Sequence, residues 1–305
     1  MRADLARTGA AALLLTLCLA GCRDGEPALA RGDRFWADSN YSAALAEYRL
    51  SLAQRPDDED VRARVAHAFA VSDQFELARE QYDRLIGASP EWTDQAVFDY
   101  VTLAERARAR SDRYGMASAI DAALALRPGL PVDDMAPALA RYHATTGDPA
   151  RALDFYERAL SAASSDSVPS LLYEIGEVHV AQGDCVEALA YFDTFLERAP
   201  DSDRADQARW HVGNCSFTLA RRASQTGEAE EALRHLDTVV ALGVPRNLLE
   251  QAWFERGEAL LALDRRDEAL EAFTMVVQLS PTRSGQLVER ATQRIDQLRF
   301  GRFDR

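Results

Sequence analysis

Between Leu171 and Pro200 the apolar and small residues recur at steps of three and four. Leu172, Ile175, Gly176 and His179 precede the turn Gln182-Gly183-Asp184, and Ala188, Phe192 and Phe195 follow it. That period marks one face of a helix. The stretch therefore predicts two short amphipathic helices folded back on each other, the second ended by Pro200. Gly176 and Ala188 are small where two antiparallel helices would come closest. Neither helix can bury its apolar face alone, so the unit requires neighbours.

The same spacing recurs along the chain. Gly32, Phe35, Ala44, Tyr48 and Pro56 form one set, and Ala66, Phe69, Ala78, Tyr82 and Pro90 form a second, 34 residues on. Gly176, His179, Ala188, Phe192 and Pro200 repeat it, as do Trp253, Gly257, Leu260, Ala269, Phe273 and Pro281. Three looser units fill the intervals. Ala104, Met116, Ile120, Ala123 and Pro128 make one, delayed by the Arg-rich stretch 104–113. Ala140, His143, Ala152, Tyr156 and Ala159 make another, turning at Gly147-Asp148-Pro149. Trp210, Gly213, Phe217, Ala232, Leu236 and Val239 make the last, its two helices expected to be separated by extra residues around Arg221–Glu230. From Ser284 to Phe300, Leu287, Ala291, Ile295 and Leu298 share a face backed by Glu289, Arg290, Gln293, Arg294 and Gln297, which suits a closing helix.

Period, small positions and closing proline together resemble the tetratricopeptide repeat. The resemblance implies an all-α fold, a right-handed α-solenoid of about seven helical hairpins with a C-terminal capping helix. The repeats fall at about 25–58, 59–92, 93–130, 133–166, 169–202, 206–246 and 250–283 within a solenoid of residues 22–282, and the cap covers 284–300. Gly129 between Pro128 and Pro131 marks either a hinge or a tight turn. In such arrays the first helices of successive repeats line a concave groove. The positions that face it carry over to Asp33, Trp36, His67, Arg141, Tyr173, Glu177, Trp210, Asn214, Phe217, Phe254 and Glu258. Tyr173, Glu177, Trp210, Asn214, Phe217, Phe254 and Glu258 are the expected partner-binding set, with aromatics beside polar groups suited to an extended or helical peptide.

The composition agrees with this fold. Ala, Leu, Arg and Glu dominate the 305 residues, and strand-like runs of Val, Ile and Thr are missing. The chain contains no Lys, so all 35 basic residues are Arg; codon usage in a GC-rich genome accounts for that. A lysine clamp for a peptide carboxylate is therefore impossible.

The amino terminus differs from the rest. Arg2 and Arg7 precede an apolar run from Ala10 to Ala20, too short to span a membrane comfortably. Its end, Leu19-Ala20-Gly21-Cys22, resembles the lipobox of bacterial lipoproteins. The resemblance implies that residues 1–21 are a removed signal and that Cys22 carries the lipid, palmitate among its acyl chains. Leu17 is too large for the small position that Cys18 would need before it. Arg23, rather than Asp, after the cysteine points to the outer membrane, facing the periplasm, by the enterobacterial sorting rule. Residues 1–21 hold Arg2, Arg7 and Asp4, so taking their +1 from the formal charge of −14 leaves −15. A body that acidic repels nucleic acid and anionic headgroups.

No catalytic signature is present: no H-E-x-x-H, no G-x-S-x-G, no phosphate loop and no dinucleotide fingerprint. The histidines suggest no metal set, no cofactor is implied, and an enzyme is not expected. His143 and His179 share one repeat position, where packing explains them. Cys185 opens the second helix of the fifth repeat and Cys215 ends near it in the first helix of the sixth. Hairpin stacking could bring the pair within disulfide reach, or leave two buried thiols.

The expectation is a membrane-anchored, non-enzymatic scaffold that binds other envelope proteins or peptides in the bacterial cell envelope. The alternative is an envelope receptor for a ligand or glycan, as in polysaccharide export, which a closed apolar pocket would favour.

Overall fold

A computed structural model describes residues 26–280 and 284–301. The signal segment with Cys22, and Pro281, lie outside the described residues. Fifteen α-helices form among the described residues, in two compact units that divide between Pro131 and Val132.

Unit 1 contains α1 (Ala28–Ala37), α2 (Tyr41–Gln54), α3 (Glu59–Val71), α4 (Phe75–Ala88), α5 (Thr93–Ala109) and α6 (Arg113–Leu126). Unit 2 contains α7 (Ala136–Thr146), α8 (Pro149–Ala162), α9 (Val168–Gln182), α10 (Cys185–Arg198), α11 (Ala205–Thr226), α12 (Ala229–Leu242), α13 (Leu249–Ala262), α14 (Arg266–Leu279) and α15 (Gln286–Phe300). Consecutive helices pair as hairpins, and in each unit every hairpin packs on the next. Each unit is thus an all-α array of stacked hairpins, three in unit 1 and four in unit 2, in line with the α-solenoid class and the seven hairpins expected. The closing helix α15 packs on α13 and α14, with Val288 and Ala291 buried.

Local chemistry sets the helix boundaries. Asn40, Asp112, Asp148 and Asp184 each accept a backbone N–H three residues on, capping α2, α6, α8 and α10. Each such cap contributes about 1 kcal/mol. Within a hairpin the two helices meet through a ring seated on a small residue. A Cβ at Gly176 would lie 2.8 Å from the Phe192 ring, so only glycine allows α10 to approach α9 this closely.

The sixth hairpin departs from expectation. Residues 221–226, Arg-Arg-Ala-Ser-Gln-Thr, contain no breaker, so the extra residues lengthen the first helix instead of separating the pair. α11 runs for 22 residues and stops only at Gly227, in left-handed backbone at φ 83°. Likewise the Arg-rich stretch of the third hairpin extends α5 to 17 residues. The first half of α11 (Ala208, Val212, Cys215) joins a core with Leu172, Tyr173, Phe192 and Phe195. Its second half (Phe217, Ala220, Ala223) joins a separate core with Leu236, Phe254, Leu260 and Phe273. At Gly213, near the middle, the Val244 carbonyl of the α12–α13 loop sits 2.0 Å from where a Cβ would be.

Candidate functional site

On the first-helix side of unit 1, polar groups are linked from hairpin to hairpin. Asp33 of α1 accepts from the Tyr48 hydroxyl at 2.9 Å and from Arg64 Nε of α3 at 3.2 Å. Trp36 packs its ring 5.0 Å from that of His67. His67 Nδ1 lies 2.8 Å from Oδ2 of Asp99 on α5. Asp99 is 3% exposed and also accepts from the Tyr82 hydroxyl and from Gln95 Nε2 at 3.2 Å. A buried carboxylate is tolerated only when its lone pairs are filled, and these donors fill them. Burial, then the Asp99 charge, pushes the Tyr82 hydroxyl far above its ordinary range, so it stays a donor.

In unit 2 the equivalent side centres on two glutamates one turn apart on α9. Glu174 accepts a bidentate pair from Arg141 of α7 at 2.8 and 3.1 Å. It also accepts from the Tyr156 hydroxyl at 3.2 Å and from Ser170 at 3.3 Å, with Arg204 at 3.8 Å. Its acceptors are saturated. Glu177 is exposed and accepts from the Tyr173 hydroxyl at 3.2 Å. Across on α11, Trp210 is 43% exposed and stands edge-on to His211 at 5.2 Å. His211 lies flat on Phe192 at 5.0 Å, and neither of its buried ring nitrogens has a partner. Burial, partly offset by the charge of Glu177, holds that imidazole below its ordinary value and so favours the neutral ring.

The expected partner-binding set divides on burial. Trp210 and Glu177 are exposed, and Asn214 and Glu258 are half-buried. Tyr173, Phe217 and Phe254 are buried at 2%, 6% and 4%, which corrects their assignment as partner contacts. Tyr173 packs on Phe192 and Phe195 and is covered by the Arg204 guanidinium at 5.1 Å. Phe254 packs on Phe273 beneath Arg290 at 4.4 Å. Glu258 is held by two bonds from Arg294 of the closing helix, at 2.7 and 2.9 Å. Three residues that shape these faces, Asp99, Glu174 and His211, were not singled out by the periodic pattern, because it scores apolar positions.

Cys185 and Cys215 are disulfide-bonded, with Cα atoms 5.1 Å apart. His143 stacks on Phe155 and His179 on Tyr191, as packing residues. Among the described residues no group of three His, Cys, Asp or Glu is placed to hold a metal ion, and no helix is long and apolar enough to cross a membrane. The unit 2 clefts at Glu228–Glu231 and beside Trp253 are open to solvent and rimmed by charge, unlike a closed apolar pocket.

The family model for the tetratricopeptide repeat matches residues 138–203 and 217–284. Both matched segments lie in unit 2. Similar solved structures include Naa15/Naa10 bound to HypK-THB, at 16% identity and TM-score 0.41, covering 89% of this chain and 38% of that one. They also include YrrB, a TPR protein with an unusual peptide-binding site, at 20% identity and TM-score 0.35, covering 70% and 97%. The TPR2AB domain of yeast Sti1 in complex with pHSP90 is similar at 13% identity and TM-score 0.33, covering 89% and 95%. No curated protein matches the chain.

Proposed function

We propose that this protein is a non-enzymatic scaffold whose unit 2 holds partner polypeptides on its first-helix face. The tetratricopeptide-repeat fold is in general an interaction scaffold rather than a catalytic one, and the matched repeats support that class. The observation that carries the reading is the exposed Trp210, one turn before the amide of Asn214 on α11, on the helix whose His211 feels the charge of the exposed Glu177 of α9. An indole with one apolar face and nearby acceptors suits a segment that presents an apolar side chain next to a basic one. One turn from Glu177 on α9, Glu174 is held in place by Arg141, Tyr156 and Ser170.

The setting proposed for this scaffold is the bacterial envelope, where a lipid on Cys22 tethers the body at one end, at the outer membrane facing the periplasm. Several acyl chains hold far better than one, each buried CH₂ contributing about 0.8 kcal/mol. Metabolic labelling with palmitate tests the anchor: label should enter the wild type and vanish in Cys22→Ser. Label in that variant would reject it. A photocrosslinker at position 214, with Glu80 of unit 1 as control, tests the face. Envelope proteins should be captured at 214 and lost on Trp210→Ala, with helicity unchanged. Equal capture at the control position would reject this face.

A further inference from the structure

A cleft of about 440 Å³ opens between α4 and α6 of unit 1, floored by Tyr100 of α5. It lies on second helices and shares no residue with the unit 2 face. Tyr100 is 1% exposed, with its ring edge-on to Phe75 at 5.6 Å and to Tyr82 at 5.8 Å. Its hydroxyl oxygen is buried and has no hydrogen-bond partner. A buried hydroxyl left without a partner is costly and is rarely retained in a packed core.

The walls above that hydroxyl are acidic. Glu76 and Asp83 come from α4 and Asp121 from α6, with Arg79 the one basic residue among the cleft residues. Arg79 lies 3.9 Å from Glu76 and 3.7 Å from Asp83, so it holds neither carboxylate at hydrogen-bond distance. Both carboxylates are about two-thirds exposed and keep acceptors open. At the rim the Tyr114 ring is 63% exposed. The field of the cleft is felt at its floor, where burial, then the Asp83 charge, raises the Tyr100 hydroxyl above its ordinary range against the opposing charge of Arg79.

We propose that this cleft takes the guanidinium group of an arginine residue presented by a partner polypeptide. Two exposed carboxylates, Glu76 and Asp83, against the one guanidinium of Arg79 leave a site that is short of positive charge. A planar cation with five N–H donors can reach Asp83, Glu76 and the Tyr100 oxygen together while its face lies on the Tyr114 ring. An ammonium is a more strongly hydrated point charge and uses the ring less well. The source proposed is a residue within a chain, and free L-arginine, which adds an α-ammonium and an α-carboxylate to the same guanidinium, is the control that separates the two.

Calorimetric titration of the full chain tests this with the capped tripeptide acetyl-Ala-Arg-Ala-amide. Saturable one-to-one binding is expected, with the citrulline analogue, uncharged and of the same shape, and the lysine analogue each weaker by about tenfold. Free L-arginine is expected to bind more weakly than the tripeptide. Asp83→Asn should weaken the arginine tripeptide by about tenfold, the loss of one charge-assisted contact. Tyr100→Phe should weaken it too while leaving the melting temperature of the unliganded protein unchanged or raised, because the lost hydroxyl had no partner. Citrulline or lysine binding as tightly, no saturable binding, or no effect of Asp83→Asn would overturn the proposal. A fall in melting temperature on Tyr100→Phe would do so as well. Tight binding of free arginine would overturn the polypeptide source.

Discussion

At the turns inside its hairpins, unit 1 places Ser39, Asp73 and Ser111 in left-handed backbone, with φ of 57°, 58° and 61°. Unit 2 places Gly147, Gly183 and Gly227 at the corresponding turns, and only its last turn reverts to a residue with a side chain, Asp264. Left-handed backbone costs a residue with a Cβ roughly 1–2 kcal/mol, a cost glycine avoids. Asp73 shows what unit 1 gains in exchange. Its carboxylate accepts from Arg106 Nε at 2.9 Å and Arg110 Nη1 at 2.6 Å, tying the α3–α4 turn to the end of the lengthened α5. Unit 2 ties hairpins by other means: the Cys185–Cys215 disulfide and the Arg141–Glu174 pair. The matched repeat segments lie only in the glycine-turned unit. One hairpin plan thus tolerates two solutions at its turns, and the side-chain turn at Asp264 falls within a matched segment as well.

The contrast is most sharply broken by removing the tie peculiar to each unit. Reducing the Cys185–Cys215 bond frees a loop with a separation of 30 residues; in the chain-entropy model that loses about 3–4 kcal/mol. Hydrogen exchange should quicken in α9–α12 on reduction and stay unchanged in α1–α6. Asp99→Ala is the counterpart in unit 1. It strips the buried acceptor from Tyr82 and His67 and should cost about 3 kcal/mol, with faster exchange confined to α3, α4 and α5. Faster exchange throughout both units in either experiment would show that the two do not respond separately. Asp73→Ala should cost about 1 kcal/mol, since its ion pairs are partly exposed and discounted accordingly. Asp73→Gly should cost less because it relieves the backbone, an order that urea midpoints can establish.

Acid gives the smallest effect and a different sequence of events in the two units. Burial depresses His211 and His235 below the ordinary 6.5, so the unfolded chain takes up protons that the folded chain refuses. Their contribution is complete above 6.5 and is lost as pH falls through it. For Asp73, burial works upward, but the bonds from Arg106 and Arg110 outweigh it and hold the carboxyl below 3.8, so its contribution persists until pH falls below that value. Urea unfolding followed by fluorescence checks this. A variant retaining Trp210 and Trp253, which reports on unit 2, should weaken between pH 7 and 5.5.

The fold was legible because a 34-residue period repeats small and aromatic positions that the hairpins need. The meeting of Cys185 with Cys215 follows from the same register. The course of α11 was misread because an insertion without Gly or Pro can lengthen a helix as readily as loop out. The aromatics were misread for a subtler reason. The repeat offset shows which side of the helix Tyr173 and Phe254 occupy, but not that Arg204, at the start of α11, and Arg290, from the closing helix, cover them. Asp99 escaped notice because a carboxylate within an apolar stripe reads as a fault until His67, Tyr82 and Gln95 are seen around it.

α11 belongs to two cores at once, and that bears on how unit 2 comes apart. In a chain of equal hairpins each junction is a place where a melted segment can end, so unfolding can advance one repeat at a time. A melting front cannot halt within α11 without exposing Phe217, Ala220 and Ala223 on one side or Val212 and Cys215 on the other. It must pass the whole rod or stop before it. Pulled from its ends, unit 2 should therefore yield in one large step across α9–α12, with no intermediate that retains half of the rod.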